Sequence, residues 1–362
     1  MEKQGRKLKK KFKIILVLVA ILLIGIATLL GTYCYFKSPV SNDKKEVSIV
    51  IENGSTISDI AALLKKEGLI KNENFFKLYV KLKKVSNVYA AKYYFSPSMN
   101  LDEIINTLNE GGYNENEISI TFKEGINMRG IAKLIKENTS NSEDDVYKKL
   151  KDEKYLNSAI EKYWFLTDDI KNSKIYYSLE GYLFPDTYRF NSKDVTVEEI
   201  FNKMLDQMEK ELNKYKKQIE NSKYSVHELI TLASITQSEG YNEDDFKNIA
   251  SVFYNRLKTG MALGSCVTSY YGVKKDMTDE LLQKDIDASN PYNTRGNNPV
   301  SFPVGPISMP GAKALDATLD PIETSYYFFV SDKNSKLYFT KTLNEHERMI
   351  TKLQNEGLWL EW

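Results

Sequence analysis

The chain has 362 residues, a net charge of +1, 42% hydrophobic residues, two cysteines and two histidines. Its length implies two or three domains, and the near-neutral charge argues against a nucleic-acid partner, which usually needs a basic face. Cys34 and Cys266 leave the region beyond the N-terminal apolar run without an internal disulfide, and with only His227 and His346 beside them no standard zinc site assembles. No metal and no cofactor are expected.

Residues 1–13 carry seven Lys/Arg and one Glu, so the remainder is mildly acidic. Residues 14–36 follow without a charge, and 23 helical residues span roughly 35 Å, enough for a bilayer core. Tyr33, Tyr35 and Phe36 suit the far interface. The basic head predicts a cytoplasmic N-terminus, a single membrane-spanning helix over 14–36, and everything beyond residue 37 outside the cell. A cleaved signal peptide is the rival reading; the length of the run and the lack of a small-x-small site count against it. A lipid anchor at Cys34 is disfavoured by Tyr33 before it.

Residues 37–46 read as a polar linker. Val47–Ile51 alternates as a strand, Ile57–Gly68 and Phe75–Leu82 as helices, Ala91–Phe95 as a strand, and Leu101–Leu108 as a helix closed by Gly111-Gly112. Residues 47–112 thus form a small α+β module. Residues 113–178 read as a connecting α+β region, with a strand at Ile118–Phe122, a helix from Asn127, and a charged helical stretch over 139–174. A larger α+β domain is expected over 179–362. It opens on the aromatic LEGYLFPDTYRF from Leu179, followed by one long helix over Val195–Asn221.

Ser225 and Glu228 form a capping box before a helix whose apolar residues Val226, Leu229, Ile230, Leu232, Ala233 and Ile235 recur at helical spacing. Glu239 falls on that stripe in the last turn, and Gly240 offers the stop. A carboxyl group at the end of a buried stripe has its ionised form disfavoured, so its pKa rises toward that of a general acid. The plainer reading is a Glu that reaches solvent or pairs with a Lys. Asp244–Lys258 reads as a further helix. Residues 291–311 hold five of the nine prolines and read as a structured loop. Tyr326–Val330 and Leu337–Thr340 read as a hairpin, and His346–Asn355 as a last helix.

In order along the chain stand EGINMRGIAKLI from Glu124, LEGYLFPDTYRF from Leu179, LASITQSEG from Leu232, and IASVFYNRLKTGMAL from Ile249. PYNT from Pro291, VGPISMPGAKAL from Val304, YYFFVSD from Tyr326 and FTKTLNEHE from Phe339 complete the series. This succession resembles the YceG-like endolytic murein transglycosylases, membrane-anchored lytic enzymes that cut nascent peptidoglycan. The resemblance covers nearly the whole chain and implies that residues 47–112 are LysM-like. It also implies peptidoglycan glycan strands as substrate and cell-wall synthesis proteins as partners. The family's helix motif commonly reads ASIVEKE with its second Glu catalytic, and that position is Glu239 here, with Gln237 and Ser238 in place of the other two. After GMAL the family usually shows Gln-(Ser/Thr)-Asp-Pro-Thr. Here Gly264-Ser265-Cys266-Val267-Thr268 stands instead, and only Ser265 and Thr268 match. Arg295 stands where an aromatic is common.

The resemblance implies that one acid suffices. It protonates the glycosidic oxygen, the sugar's own C6 hydroxyl attacks C1, and a 1,6-anhydromuramyl end results. Thr268, Tyr292 and Asn293 are expected to line the groove at Glu239, with Tyr292 stacking on sugar and Asn293 hydrogen-bonding it. Arg256 holds either a muramyl or stem carboxylate or a structural salt bridge. Glu180 and Asp186 contact substrate or hold their loop through backbone hydrogen bonds. The alternative function is a catalytically impaired, membrane-anchored glycan-binding scaffold, suggested by the altered Gly264–Val267 segment.

Overall fold

The computed structural model describes residues 2–52, 54–83, 88–112 and 116–359, with the side chains of residues 2–17 and 20 outside that description. The chain divides into two compact units, Met1–Glu117 and Ile118–Trp362.

The first unit runs α1 (Glu2–Lys37), β1 (Val47–Ile51), α2 (Ile57–Lys66), α3 (Glu73–Leu82), β2 (Ala91–Phe95) and α4 (Leu101–Glu110). Capping boxes at Thr56/Asp59 and Asn100/Glu103 start α2 and α4 by satisfying free backbone N–H groups. β1 and β2 pair antiparallel from Val47↔Phe95 to Ile51↔Ala91. Alternation sends Ile49, Ile51, Tyr93 and Phe95 inward onto Ile60, Leu64, Phe76 and Ile104. The strand–helix–helix–strand–helix order is the one expected for 47–112. Residues 14–36 lie within the unbroken helix α1. Among the described residues no helix is long and apolar enough to cross a membrane; the side chains of 14–17 and 20 fall outside those residues.

The second unit runs β3 (Ile118–Thr121), α5 (Met128–Asn138), α6 (Glu143–Lys149), α7 (Glu153–Lys162), β4 (Thr187–Phe190), α8 (Val197–Leu212), α9 (Lys216–Glu220) and α10 (Val226–Glu239). It continues with α11 (Glu243–Thr259), α12 (Cys266–Gly272), α13 (Gln283–Ile286), α14 (Ala312–Leu319), β5 (Phe328–Ser331), β6 (Leu337–Thr340) and α15 (Leu343–Asn355). β3 pairs antiparallel with β4 and β5 with β6, which makes the unit α+β. Residues 118–178 share one core with the helices beyond them: Ile131, Ile135 and Phe165 pack with Tyr182, Phe201, Met204 and Ile230.

Three stretches differ from the sequence expectation. The charged stretch 139–174 resolves into α6 and α7, started by Ser142 and Asp152 accepting from backbone N–H groups. The single helix expected over 195–221 breaks at a 3₁₀ turn, Asn213–Tyr215, beside which the Tyr215 hydroxyl donates to Asp316 at 2.7 Å. The aromatic block from Leu179 supplies β4, whose partners lie 66 to 72 residues earlier, too far for a local pattern to announce.

Candidate active site

The Ser225/Glu228 capping box forms as expected at the start of α10. Its helix is not one-sided. His227 and residues 229–236 are all buried, because α11, α12 and α14 pack around it. The His227 ring ties it further, bridging the Tyr182 hydroxyl at 2.8 Å and the Val304 carbonyl oxygen at 2.9 Å. Residues 237–240 emerge half-buried at the end of this enclosed rod. Gly240 stops the helix with φ −103°, not in the left-handed region. Glycine is required there by packing, since a Cβ would lie 2.5 Å from Phe246 Cδ1.

Glu239 therefore sits on a rigid support with its carboxyl at the boundary between core and solvent. Burial pushes that carboxyl above its ordinary range; a hydrogen bond from Ser265 and the charges of Arg295 and Arg256 pull it partway back. The Ser265 hydroxyl donates to Glu239 Oε1 at 2.5 Å. Ser265 is the N-cap residue of α12, yet its hydroxyl makes no capping bond. A cap that ordinarily contributes about 1 kcal/mol is given up so that the hydroxyl can face the acid. With Oε1 accepting from Ser265, Oε2 is the oxygen left to carry a proton. The neighbours of Glu239 on its own turn are also held: Ser238 Oγ donates to Ser234 O at 2.9 Å and meets Ser308 Oγ at 3.0 Å, and Gln237 Oε1 accepts from Gly311 N at 2.9 Å.

Thr268, Tyr292 and Asn293 come together beneath Ser265, enclosed rather than open to a groove. Thr268 Oγ1 donates to Ser265 O at 2.7 Å and accepts from Thr294 N at 3.1 Å. Thr294 Oγ1 in turn accepts from Ser265 N at 3.0 Å. The pair clamps the backbone on both sides of the hydroxyl that meets Glu239. Asn293 Nδ2 donates to the carbonyls of Ile286 and Ala288, and its Oδ1 accepts from Ser269 Oγ and Arg295 N. Its polar atoms are filled from within, so none faces a sugar. The Tyr292 ring packs against Tyr176 and Tyr271 at 4.7 and 4.8 Å, and its hydroxyl oxygen accepts from Tyr176 N. It is 1% exposed, which leaves no face for stacking on a ligand.

Among the described residues Arg256 forms no salt bridge. It donates from Nε to Tyr327 O at 2.7 Å and from Nη1 to Leu263 O at 2.5 Å, and lies over the Phe328 ring. Asn255 Nδ2 donates to the carbonyls of Thr324 and Tyr326, so both side chains pin the segment leading into β5. His346 also stacks on the Phe328 ring, at 5.4 Å. Glu180 is 2% exposed and accepts from Met128 N and the Tyr271 hydroxyl. Burial lifts its carboxyl to about 8 against those two donors. Asp186 holds its own turn: its Oδ1 accepts from Thr187 N.

Sequence reasoning overlooked Ser265, Cys266 and Arg295 as site residues. Ser265 carried a signal, being one of two positions that match the family pattern after GMAL. Cys266 and Arg295 carried none beyond departing from it, because their contact joins residues 29 apart, Arg295 Nη1 donating to Cys266 Sγ.

On this α+β scaffold Glu239 is a desolvated carboxyl at a helix end, held by a hydroxyl and under the charge of two arginines, an environment of the kind a general acid needs. The model of the YceG-like family matches residues 49–352, and the chain belongs to that family. It is 39% identical over 329 residues to an endolytic murein transglycosylase of Bacillus subtilis (strain 168), covering 89% of this chain and 90% of that one. It is 30% identical over 334 residues to an endolytic murein transglycosylase of Streptococcus pneumoniae (strain D39), covering 88% of this chain and 60% of that longer protein. A crystal structure of a yceG-like protein from Listeria monocytogenes superposes with a TM-score of 0.59 at 35% identity, covering 85% of this chain and all of that one.

Proposed function

We propose that the chain is an endolytic murein transglycosylase in which Glu239 is the one general acid and base. The observation that carries this is the carboxyl itself: desolvated, held on Oε1 by Ser265, and approached by two cations but by no second charged carboxylate among the described residues. Glu239 Oε2–H delivers its proton to the glycosidic oxygen as the bond from C1 breaks. The charges of Arg256 and Arg295 favour the carboxylate that results. That carboxylate then takes the proton of the muramyl C6 hydroxyl as its oxygen bonds to C1, closing the 1,6-anhydro ring and restoring the acid. Digestion of purified uncrosslinked glycan strands, read by mass spectrometry of the new ends, tests this. Anhydromuramyl ends that vanish with Glu239→Gln are expected. Reducing ends would overturn the mechanism, and no cleavage by the native chain would leave a glycan-binding scaffold in its place.

The same reading extends to location. Leu18, Val19, residues 21–24, Ile26, Leu29 and Leu30 of α1 are exposed on all sides, a surface that lipid accommodates and water does not. With the basic head before it, this supports a single-pass anchor with the N-terminus in the cytoplasm and the remainder outside. Protease added to protoplasts should remove the region beyond residue 45; protection of it would reverse the topology. The first unit's β1–α2–α3–β2–α4 module is read as a LysM-like glycan-binding module, and cell-wall synthesis proteins as the chain's partners. Deleting residues 47–112 should lower affinity for glycan strands; unchanged affinity would remove that role.

A further inference from the structure

The Arg295 guanidinium is exposed, and its one side-chain hydrogen bond among the described residues runs to Cys266 Sγ at 2.5 Å. A thiol is a weak acceptor, whereas the planar fork of five N–H donors matches a carboxylate with two parallel bonds. Arg295 is thus held at a contact that a carboxylate would displace. It is also close to the chemistry: its charge bears on Glu239, Cys266, Arg256 and His346.

Arg256 is differently placed. Its Nε and Nη1 are tied to backbone, donating to Tyr327 O and Leu263 O. A Cβ on Gly264, whose φ is +64°, would lie 2.6 Å from Arg256 Nη1, so the glycine leaves room for the guanidinium at the loop. Among the described residues neither arginine has an ion-pair partner. The site therefore holds two cations that disfavour one another beside one carboxyl whose ionised form burial disfavours. An incoming anion relieves that imbalance. Of the two, Arg295 is the more exposed and spends its one printed contact on a thiol, so it is the better placed to meet that anion.

Taking the transglycosylase reading as its basis, we propose that Arg295 determines specificity by pairing with a carboxylate carried on a muramyl residue of the bound strand. The chemistry has two sources. One is the peptide stem, with its free carboxylates. The other is the lactyl group, whose carboxylate is free where the stem has been removed. A plain N-acetylglucosamine polymer has neither.

The test is binding in a Glu239→Gln background, which stops turnover and removes the Glu239 charge, so no effect of Arg295 can be relayed through the acid. Three probes are titrated: stem-bearing uncrosslinked strands, amidase-stripped strands with free lactyl carboxylates, and chito-oligosaccharides of similar length. Arg295→Gln should weaken at least one carboxylate-bearing probe by about ten- to a hundredfold, the usual size of a charge-assisted contact. Arg295→Lys should recover part of the loss, and added salt should shrink it. Chito-oligosaccharide binding should not move. The probe that weakens identifies the source of the carboxylate. Equal weakening of all three probes, no weakening of either charged probe, or no binding of any strand overturns the proposal. The transglycosylase reading stands or falls separately, on whether the native chain cuts the same stem-bearing strands.

Discussion

Among the described residues of the second unit, burial raises the pKa of two carboxyl groups, Glu180 and Glu239, and their surroundings differ in kind. Glu180 is enclosed, accepts from Met128 N and the Tyr271 hydroxyl, and joins the turn after Tyr177 to the start of α5 and to α12. Glu239 stands half-buried at the end of a helix, with one hydroxyl on Oε1 and its other oxygen unoccupied by a donor among the described residues. Burial raises both pKa values. A raised pKa by itself therefore does not mark a catalyst; access of the second oxygen to a ligand does. The comparison also separates what the two carboxyls do for the fold, since Glu180 ties three segments together and Glu239 ties one.

The largest expected effect breaks the comparison at its reactive end. Glu239→Gln keeps the shape but has no proton to deliver, so strand cleavage should fall by roughly 10²–10⁴ while the melting temperature holds or rises, a desolvated acid being a cost to folding. In the native chain kcat/KM should decline as pH rises through the raised Glu239 pKa, because the acid must be protonated to act. A rate that survives the substitution would move the catalyst elsewhere.

Glu180 breaks it from the other side. Between the unfolded carboxyl pKa near 4.5 and the folded value of about 8, the folded state binds a proton that the unfolded state does not. Stability therefore falls as pH rises through that window, by an amount on the order of a few kcal/mol. Glu180→Gln should flatten the dependence of melting temperature on pH between 5 and 8 and leave cleavage within a few-fold of native. A steep loss of cleavage with an unchanged melting profile would give Glu180 a role in the reaction.

Ser265→Ala sharpens the account of Glu239. Loss of the donor on Oε1 frees the carboxyl to rotate and removes an interaction that favours its ionised form. Cleavage should drop about tenfold, mainly in kcat, and the alkaline limb of the pH profile should move to higher pH. The smallest effect is expected at the clamp beneath. Thr268→Val leaves Thr294 N and Ser265 O without that partner and should cost about 1–3 kcal/mol of stability. Calorimetry reads the stability, and an activity loss larger than that of Ser265→Ala would contradict a purely supporting role.

Local signals were sufficient wherever physics is local. The capping box at Ser225, the alternation in β1 and β2, and the helical spacing ending at Glu239 are set by residues within one or two turns of each other. They could be read from the chain alone, as could the place of Glu239 in the last turn of its helix. Tertiary structure decided which polar residues face outward. Thr268, Tyr292 and Asn293 lie in a segment whose composition suits a sugar cleft, yet hydrogen bonds to Ser265, Tyr176 and Ile286 close them in. Ser265 meets Glu239 across 26 residues, and Arg295 meets Cys266 across 29. No periodicity carries such pairs, because a side chain's direction at a loop is set by what packs behind it and not by its neighbours in sequence. The sequence alone therefore determined the modules and the helix that bears the acid. The packing of α10 within α11, α12 and α14 decided that this acid is desolvated yet reachable, since burial is a property of the surrounding atoms and only a folded chain supplies them.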